Sequence, residues 1–250
     1  MLGKNEIARI GAAIIMRGWR DKDERLFWII ALTIVAVSIG IALIVSAVRD
    51  KESEVDEARE DGIRYAIVSH TGEEAFGDRL EIERLSSDGR WQRVYENDFK
   101  DLKPWKIEVG DIDGDERKEL FIAVHKPTHF DAEHRNRMFI FNYDGNKLVK
   151  KWTGSQLAGD WRTFSVGDLL PIPGDELIFI ERLEGNKERI GVYYWLDFGF
   201  VLAAASEPMA PIERLDIAGG NRIDIRMKQT GEPRALTVEA GKVIDMEYKS

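Results

Sequence analysis

The sequence predicts an all-β domain of recurring antiparallel sheet units, carried behind one transmembrane α-helix. Three observations predict it. The segment VGDIDGDERKELFIAV, Val109 to Val124, runs a carboxylate-rich turn straight into an apolar strand. The same frame returns downstream without a gap: Val166-Gly167-Asp168 repeats Val109-Gly110-Asp111, and Glu176-Leu177-Ile178-Phe179 repeats Glu119-Leu120-Phe121-Ile122, 57 residues later. A weaker copy, Leu215-Asp216-Ile217 followed by Asp224-Ile225, keeps the step from the first acidic residue to the one before the strand. Self-similarity on this scale is the mark of stacked supersecondary units. The third observation is Leu26 to Val48, an apolar run without one charge or proline.

Composition bounds the answer. The 250 residues carry a formal charge of -9 and no cysteine. An acidic chain without a basic stripe is a poor nucleic-acid partner, and disulfides and thiolate metal sites are excluded. Residues 1–25 place Ile7, Ile10 and Ile14 at helical spacing among Lys4, Arg9, Arg17 and Arg20. That leader either lies on the inner leaflet as an amphipathic helix or merely sets topology. Residues 26–48 are long enough to span the hydrocarbon core as an integral membrane segment. Basic residues are denser before the span than after it, which predicts a cytoplasmic N-terminus and an extracytoplasmic C-terminal domain. Ala36 and Gly40, and Ser38, Ala42 and Ser46, recur every fourth residue. Such spacing suits helix packing, hence a homo-oligomer through the span.

Residues 49–62, RDKESEVDEAREDG, are nearly all charged and read as a stalk, helical near the membrane. From 63 to 250 strands and turns alternate. Tyr65–Ser69, Arg79–Leu85 and Trp91–Tyr95 form a first set, the last two joined by the Ser87-Asp88-Gly89 turn. Leu120–Val124, Met138–Tyr143 and Leu148–Trp152 repeat it, as do Leu177–Ile180, Ile190–Leu196 and Phe200–Ala204. Ile223–Met227, Ala235–Glu239 and Lys242–Met246 close the series. Each unit therefore has three or four antiparallel strands. Units of this kind cannot bury both faces alone and must pack about a common axis.

Asp111, Asp113, Asp115 and Glu119 place oxygen ligands at alternate positions of a short turn, the arrangement by which one peptide segment serves a hard cation such as Ca2+. An acidic, solvated turn is the competing reading, because Asp and Gly are also turn formers. The GDIDGDERKELFIAV segment resembles the FG-GAP or VCBS repeat of extracellular β-propellers such as the integrin alpha-chain head. That resemblance covers 105–124 closely and 63–250 loosely. It implies a propeller of about four blades, or an incomplete one, with Asp111, Asp113, Asp115 and Glu119 as side-chain ligands and the carbonyl of Arg117 as the fifth. The chain departs from the family at Glu116, where a glycine is usual. The copy at Asp168 to Glu176 has Leu170 and Ile172 in ligand positions and two prolines, so a single structural calcium site is expected.

His125, His129 and His134 lie close in sequence with Asp131 and Glu133. Three imidazoles and a carboxylate suit a transition metal, yet Pro127 and the lack of helical register favour ordinary exposed histidines. The tryptophans at 91, 105, 152, 161 and 195 fit core or blade-edge positions better than sugar platforms. No nucleophile elbow, P-loop, dinucleotide fingerprint or Cys-His pair is present. The expectation is accordingly a non-enzymatic, membrane-anchored binding or scaffolding module for a protein or envelope polymer. An accessory subunit of a membrane complex and an envelope carbohydrate hydrolase are the alternatives.

Overall fold

The structure is a computed structural model that describes residues 53–72, 75–129, 131–154, 157 and 159–246. The chain divides after Lys51, and the described residues belong to the second unit. They contain no helix long and apolar enough to cross a membrane. The leader 1–25 and the span 26–48 lie outside them.

Among the described residues, sixteen strands make four units of four. The first blade is β1 (Ser53–Glu60), β2 (Ile63–Ser69), β3 (Arg79–Leu85) and β4 (Trp91–Asp98). The second is β5 (Pro104–Gly110), β6 (Glu119–Thr128), β7 (Asp131–Tyr143) and β8 (Leu148–Thr153). The third is β9 (Asp160–Gly167), β10 (Glu176–Leu183), β11 (Lys187–Leu196) and β12 (Gly199–Ser206). The fourth is β13 (Ile212–Ile217), β14 (Ile223–Met227), β15 (Pro233–Glu239) and β16 (Lys242–Asp245). Within a blade all neighbours are antiparallel; β12 and β16 add a short parallel pairing, Ala205 to Lys242 and Ser206 to Val243, that joins the third and fourth blades.

The second strand of each blade carries the core, and its sequence tells how many faces it buries. In β6, Leu120, Ile122 and Val124 pack with Tyr65, Ile67, Leu80 and Ile82 of the first blade. Phe121 and Ala123 turn the other way, to Phe164, Leu177 and Phe179 of the third. In β10, Leu177 and Phe179 face the second blade while Ile178 and Ile180 meet Ile212, Ile223 and Ile225 of the fourth. Two buried faces require an uninterrupted apolar run, which is why LFIAV and LIFI stand out. The fourth blade buries one face, whereas in β2 of the first Tyr65 to Ser69 are all buried. Ile223, Ile225 and Met227 alternate with Asp224 and Arg226 in β14. On the first blade, Arg64 pairs with Glu54, Glu57 and Glu83 on the face turned from the core. Polar outer faces on the end units are what a stacked array needs to stay soluble.

The expected stalk is corrected here: residues 53–60 are strand β1, paired along its length with β2. Val55 and Ala58 pack against the core, and the surrounding carboxylates are matched by Arg64 instead of extending into solvent.

The first strands β1, β5, β9 and β13 were not anticipated as strands. They lie side by side from blade to blade, and side chains cap backbone groups that a sheet would otherwise pair. Asp56 accepts from Ile107 N at 2.8 Å. Glu108 accepts from Val166 N at 2.7 Å and from Ser165 Oγ, while Lys106 Nζ donates to Phe164 O at 2.7 Å. Arg162 donates to Ile212 O, and Glu188 accepts from Ile212 N at 2.8 Å. Charged side chains thus bind one blade to the next. Glu108→Ala strands the Val166 N–H and is expected to cost about 1–3 kcal/mol, lowering the thermal midpoint by several degrees, whereas Glu108→Gln keeps an acceptor and loses less. A thermal melt of the two variants checks this.

Candidate functional site

The domain has two ends of different chemistry. At one end lie the turns from first to second strand, including the acidic loop; at the other lie the links between blades and the second-to-third hairpins.

At the first end the Asp111 and Asp168 turns occupy equivalent places, since Gly110 pairs with Glu119 and Gly167 with Glu176. The loops also touch. Asp175 N donates to Asp111 O at 2.6 Å, and Asp111 N donates to Asp175 Oδ2 at 2.7 Å. Gly114 and Gly174 both hold positive φ, and a Cβ on Gly174 would sit 2.5 Å from Ile112 O, so only glycine fits there.

Asp111, Asp113 and Asp115 bring carboxylate oxygens within 4.8 Å of one another, a spacing one hard cation can bridge. Glu119 does not join them. It is fully buried and both oxygens are engaged: Oε2 accepts from Ile112 N at 3.0 Å, and Oε1 from Asn142 Nδ2 at 2.8 Å and Lys151 Nζ at 2.7 Å. Lys151 also reaches Asp113 Oδ2 at 2.7 Å. Its ammonium therefore already supplies a positive charge to two of the expected ligands. Asp111 is turned onto the backbone, accepting from Gly114, Asp115 and Glu116 N–H. Asp115 is held below the usual carboxylate range by hydrogen bonds from Arg117. Three of the side chains suit a cation; Glu119 is an anchor for the loop.

Glu176, the counterpart of Glu119, shows what happens without the lysine. Oε2 accepts from Leu169 N at 2.8 Å and Leu170 N at 3.0 Å, while Oε1 is buried with no hydrogen-bond partner. The register puts Ala203 where blade two has Lys151. Burial, with Asp168 and Asp175 adding smaller repulsions, pushes the Glu176 carboxyl up to about 7.

At the second end a crevice of about 540 Å³ opens across blades one, two and three. The long hairpin β6–β7 supplies His125, His134, Arg135 and Asn136 to it; Phe76, Trp105 and Arg182 complete much of the wall. His125 and Asn136 are cross-strand partners. Asn136 Nδ2 donates to Trp161 O at 2.8 Å, and since a carbonyl only accepts, the amide orientation is fixed with Oδ1 toward His125. His125 Nδ1 lies 3.0 Å from that oxygen. The proton must be on Nδ1, which leaves Nε2 as the basic nitrogen. Phe76 stacks on the His125 ring at 5.4 Å and 22°, and His134 lies 5.7 Å away on centroids.

Three guanidinium groups line the crevice, each oriented by a carboxylate. Arg162 is gripped by Glu188 at 2.7 and 3.1 Å, Arg182 approaches Asp160 at 3.5 Å, and Arg135 lies 3.2 Å from Asp131. Burial works to raise the Glu188 carboxyl, but the Arg162 and Ile212 hydrogen bonds outweigh it and leave it below the ordinary value. Beneath them Trp105 and Trp161 pack at 5.8 Å, and the Trp105 indole nitrogen is buried with no hydrogen-bond partner.

Of the histidines expected to be exposed, His129 and His134 are exposed and His125 is half-buried. His125 and His134 stand on strands and line the crevice, whereas His129 lies in the hairpin turn. Among the described residues, the one cluster spaced for a metal is the aspartate set.

No protein-family model matches the chain, and no curated protein is similar to it. Solved structures are. A protein from Bacteroides uniformis, provisionally named a 6-phosphogluconolactonase, superposes with a TM-score of 0.51 at 13% identity, over 78% of this chain and 54% of its own. The fold is propeller-like. A protein from Lactobacillus plantarum gives 0.49 at 13% identity over 77% and 54%, and an exo-beta-1,3-galactanase from Phanerochaete chrysosporium 0.45 at 11% over 75% and 46%. The chain spans about half the length of these proteins. The expectation of a non-enzymatic scaffolding module is corrected by the first of them, which carries an enzyme's name on the same fold. The FG-GAP resemblance carries no further than the propeller-like arrangement.

Proposed function

We propose that the domain is a hydrolase that opens a sugar lactone in the crevice at the blade-link end. The observation that carries this is the chain Trp161 O, Asn136, His125, which fixes the imidazole with Nε2 as its base. A lactone is an internal ester. Nε2 takes a proton from water as the oxygen attacks the carbonyl carbon; the ring C–O bond then breaks, and the imidazolium returns its proton to the leaving alkoxide. The products are a carboxylate and a hydroxyl. Trp105 offers a flat apolar face to a sugar ring, and Arg135 and Arg182, both partly open to solvent, suit the carboxylate that forms. The shared fold with a protein named for lactone hydrolysis favours the same chemistry.

The acidic loop has a separate, structural part. A calcium ion there would use Asp111, Asp113, Asp115 and the Arg117 carbonyl, and would compete with Lys151 for Asp113.

The test is hydrolysis of glucono-1,5-lactone and its 6-phosphate by the purified full-length chain in a pH-stat. His125→Gln is expected to reduce the rate about 10²–10⁴-fold, the usual worth of a positioned base. Asn136→Leu, which frees the ring to adopt the other tautomer, is expected to lower kcat more than it raises KM. A wild-type rate equal to spontaneous hydrolysis for both compounds would overturn the proposal.

A further inference from the structure

We infer that the crevice continues toward the fourth blade as a groove for a sugar chain, so that the substrate is the lactone end of an oligosaccharide; this rests on the lactone reading of the central crevice. The central lobe of about 540 Å³ already lies within the roughly 300–1,000 Å³ of a single small-molecule site. A second lobe of about 790 Å³ adjoins it, sharing Arg162 and Arg182 as common wall. One sugar ring with its reacting carbonyl needs the first lobe only. The second is surplus to a monosaccharide.

The walls of the second lobe specify what fills it. Arg162 is immobilised by Glu188 and by Ile212 O, so its charge is spent inside the protein and its position is set in advance. Pro211 gives the lobe a small apolar face, and Asn186, Lys228, Gln229 and Glu213, all exposed, rim it. With Arg162 paired to Glu188 and Arg182 to Asp160, the remaining amide pair, ammonium and carboxylate give donors and acceptors in near balance. A phosphate site would gather cations without Glu213, and a nucleic-acid groove would need a run of basic groups with aromatic faces. Hydroxyl groups, which donate and accept alike, match this rim.

The experiment compares glucono-1,5-lactone with the lactones of disaccharide and trisaccharide aldonic acids, in α-1,4- and β-1,4-linked series, on the full-length chain. Expected is a rise in kcat/KM of at least about tenfold from one residue to two in one series. The double variant Lys228→Ala/Gln229→Ala, at exposed positions where folding is insensitive, should abolish that rise and leave the one-residue lactone within about twofold. Rates that stay flat or fall with length in both series would overturn the groove. Should no lactone be hydrolysed, the chemical reading fails by itself, and calorimetry with the matching open aldonic acids still decides the groove. Binding that tightens with length and is lost in the double variant supports it; length-independent binding, or none, overturns it.

Discussion

Lys151→Met is expected to destabilise the domain by about 3 kcal/mol, because it leaves a fully buried carboxylate without its counter-ion. Lys151 Nζ lies 2.7 Å from both Glu119 Oε1 and Asp113 Oδ2. Burial tends to lower the ammonium's pKa, but the Asp113 and Glu119 hydrogen bonds raise it above the ordinary lysine value, so the charge is held firmly. Without it Glu119 keeps the Asn142 and Ile112 donors, which places the loss at the lower end of the range for a broken buried pair. Adding Glu119→Gln should recover much of it, since the remaining partners then meet a neutral group. Urea unfolding at pH 7.5 of the wild type, single and double variants measures the coupling. A single variant as stable as the wild type would show that the pair contributes nothing.

The same variants address the cation. Removing the ammonium frees Asp113, so millimolar calcium should raise the unfolding midpoint of Lys151→Met more than that of the wild type. Equal midpoints with calcium and with chelator, in both proteins, would make the aspartate loop an ordinary turn.

How much of this was legible in the sequence follows from how each strand is satisfied. The runs at Leu120 to Val124 and Leu177 to Ile180 were unmistakable because both faces are buried. The axial strands were not. In β5 and β9 the residues between apolar positions include Lys106, Glu108, Arg162 and Ser165; the first three partner backbone groups of the next blade, and Ser165 donates to the Glu108 carboxylate of the blade before. Contacts fifty or more residues apart leave no local period. In β1 charge disguised a strand as a stalk, since nothing in RDKESEVDEARE announces that Arg64 will match its glutamates. The alternation of Val55 and Ala58 with charged neighbours was too sparse a signal.

The candidate sites divide in the same manner. Alternate aspartates in one short loop foretold their own convergence, but Lys151, two strands on from Glu119, could not be assigned to it before the blade was built. His125 and His134 were visible as residues without a role. Their role depends on Asn136 lying opposite His125 in the hairpin, and on Trp161 O of the next blade turning the amide. The long hairpin offered one usable clue: strands that extend beyond their counterparts in sister blades carry residues the core does not require.

Glu176→Gln is expected to stabilise the protein at pH 8 by roughly 2–3 kcal/mol and to leave it unchanged near pH 4. The Glu176 carboxyl is buried and raised from 4.5 to about 7, chiefly by loss of solvent. A carboxyl whose native value exceeds its unfolded one binds its proton more tightly in the folded state. Its stabilising contribution is therefore complete below about pH 4.5 and is lost as pH rises through about 7. Above that, folding must hold a carboxylate whose Oε1 has no donor. Glutamine keeps an acceptor for the Leu169 and Leu170 amides and carries no charge, so the fall in stability between pH 4.5 and 8 should flatten in the variant. The Ala203→Lys variant approaches the same point from the other side. It sets an ammonium where blade two has Lys151, and should raise stability at pH 8 while restoring the carboxylate form. Parallel stability profiles for wild type and Glu176→Gln across this pH range would show that the carboxyl at Glu176 is not the group that titrates.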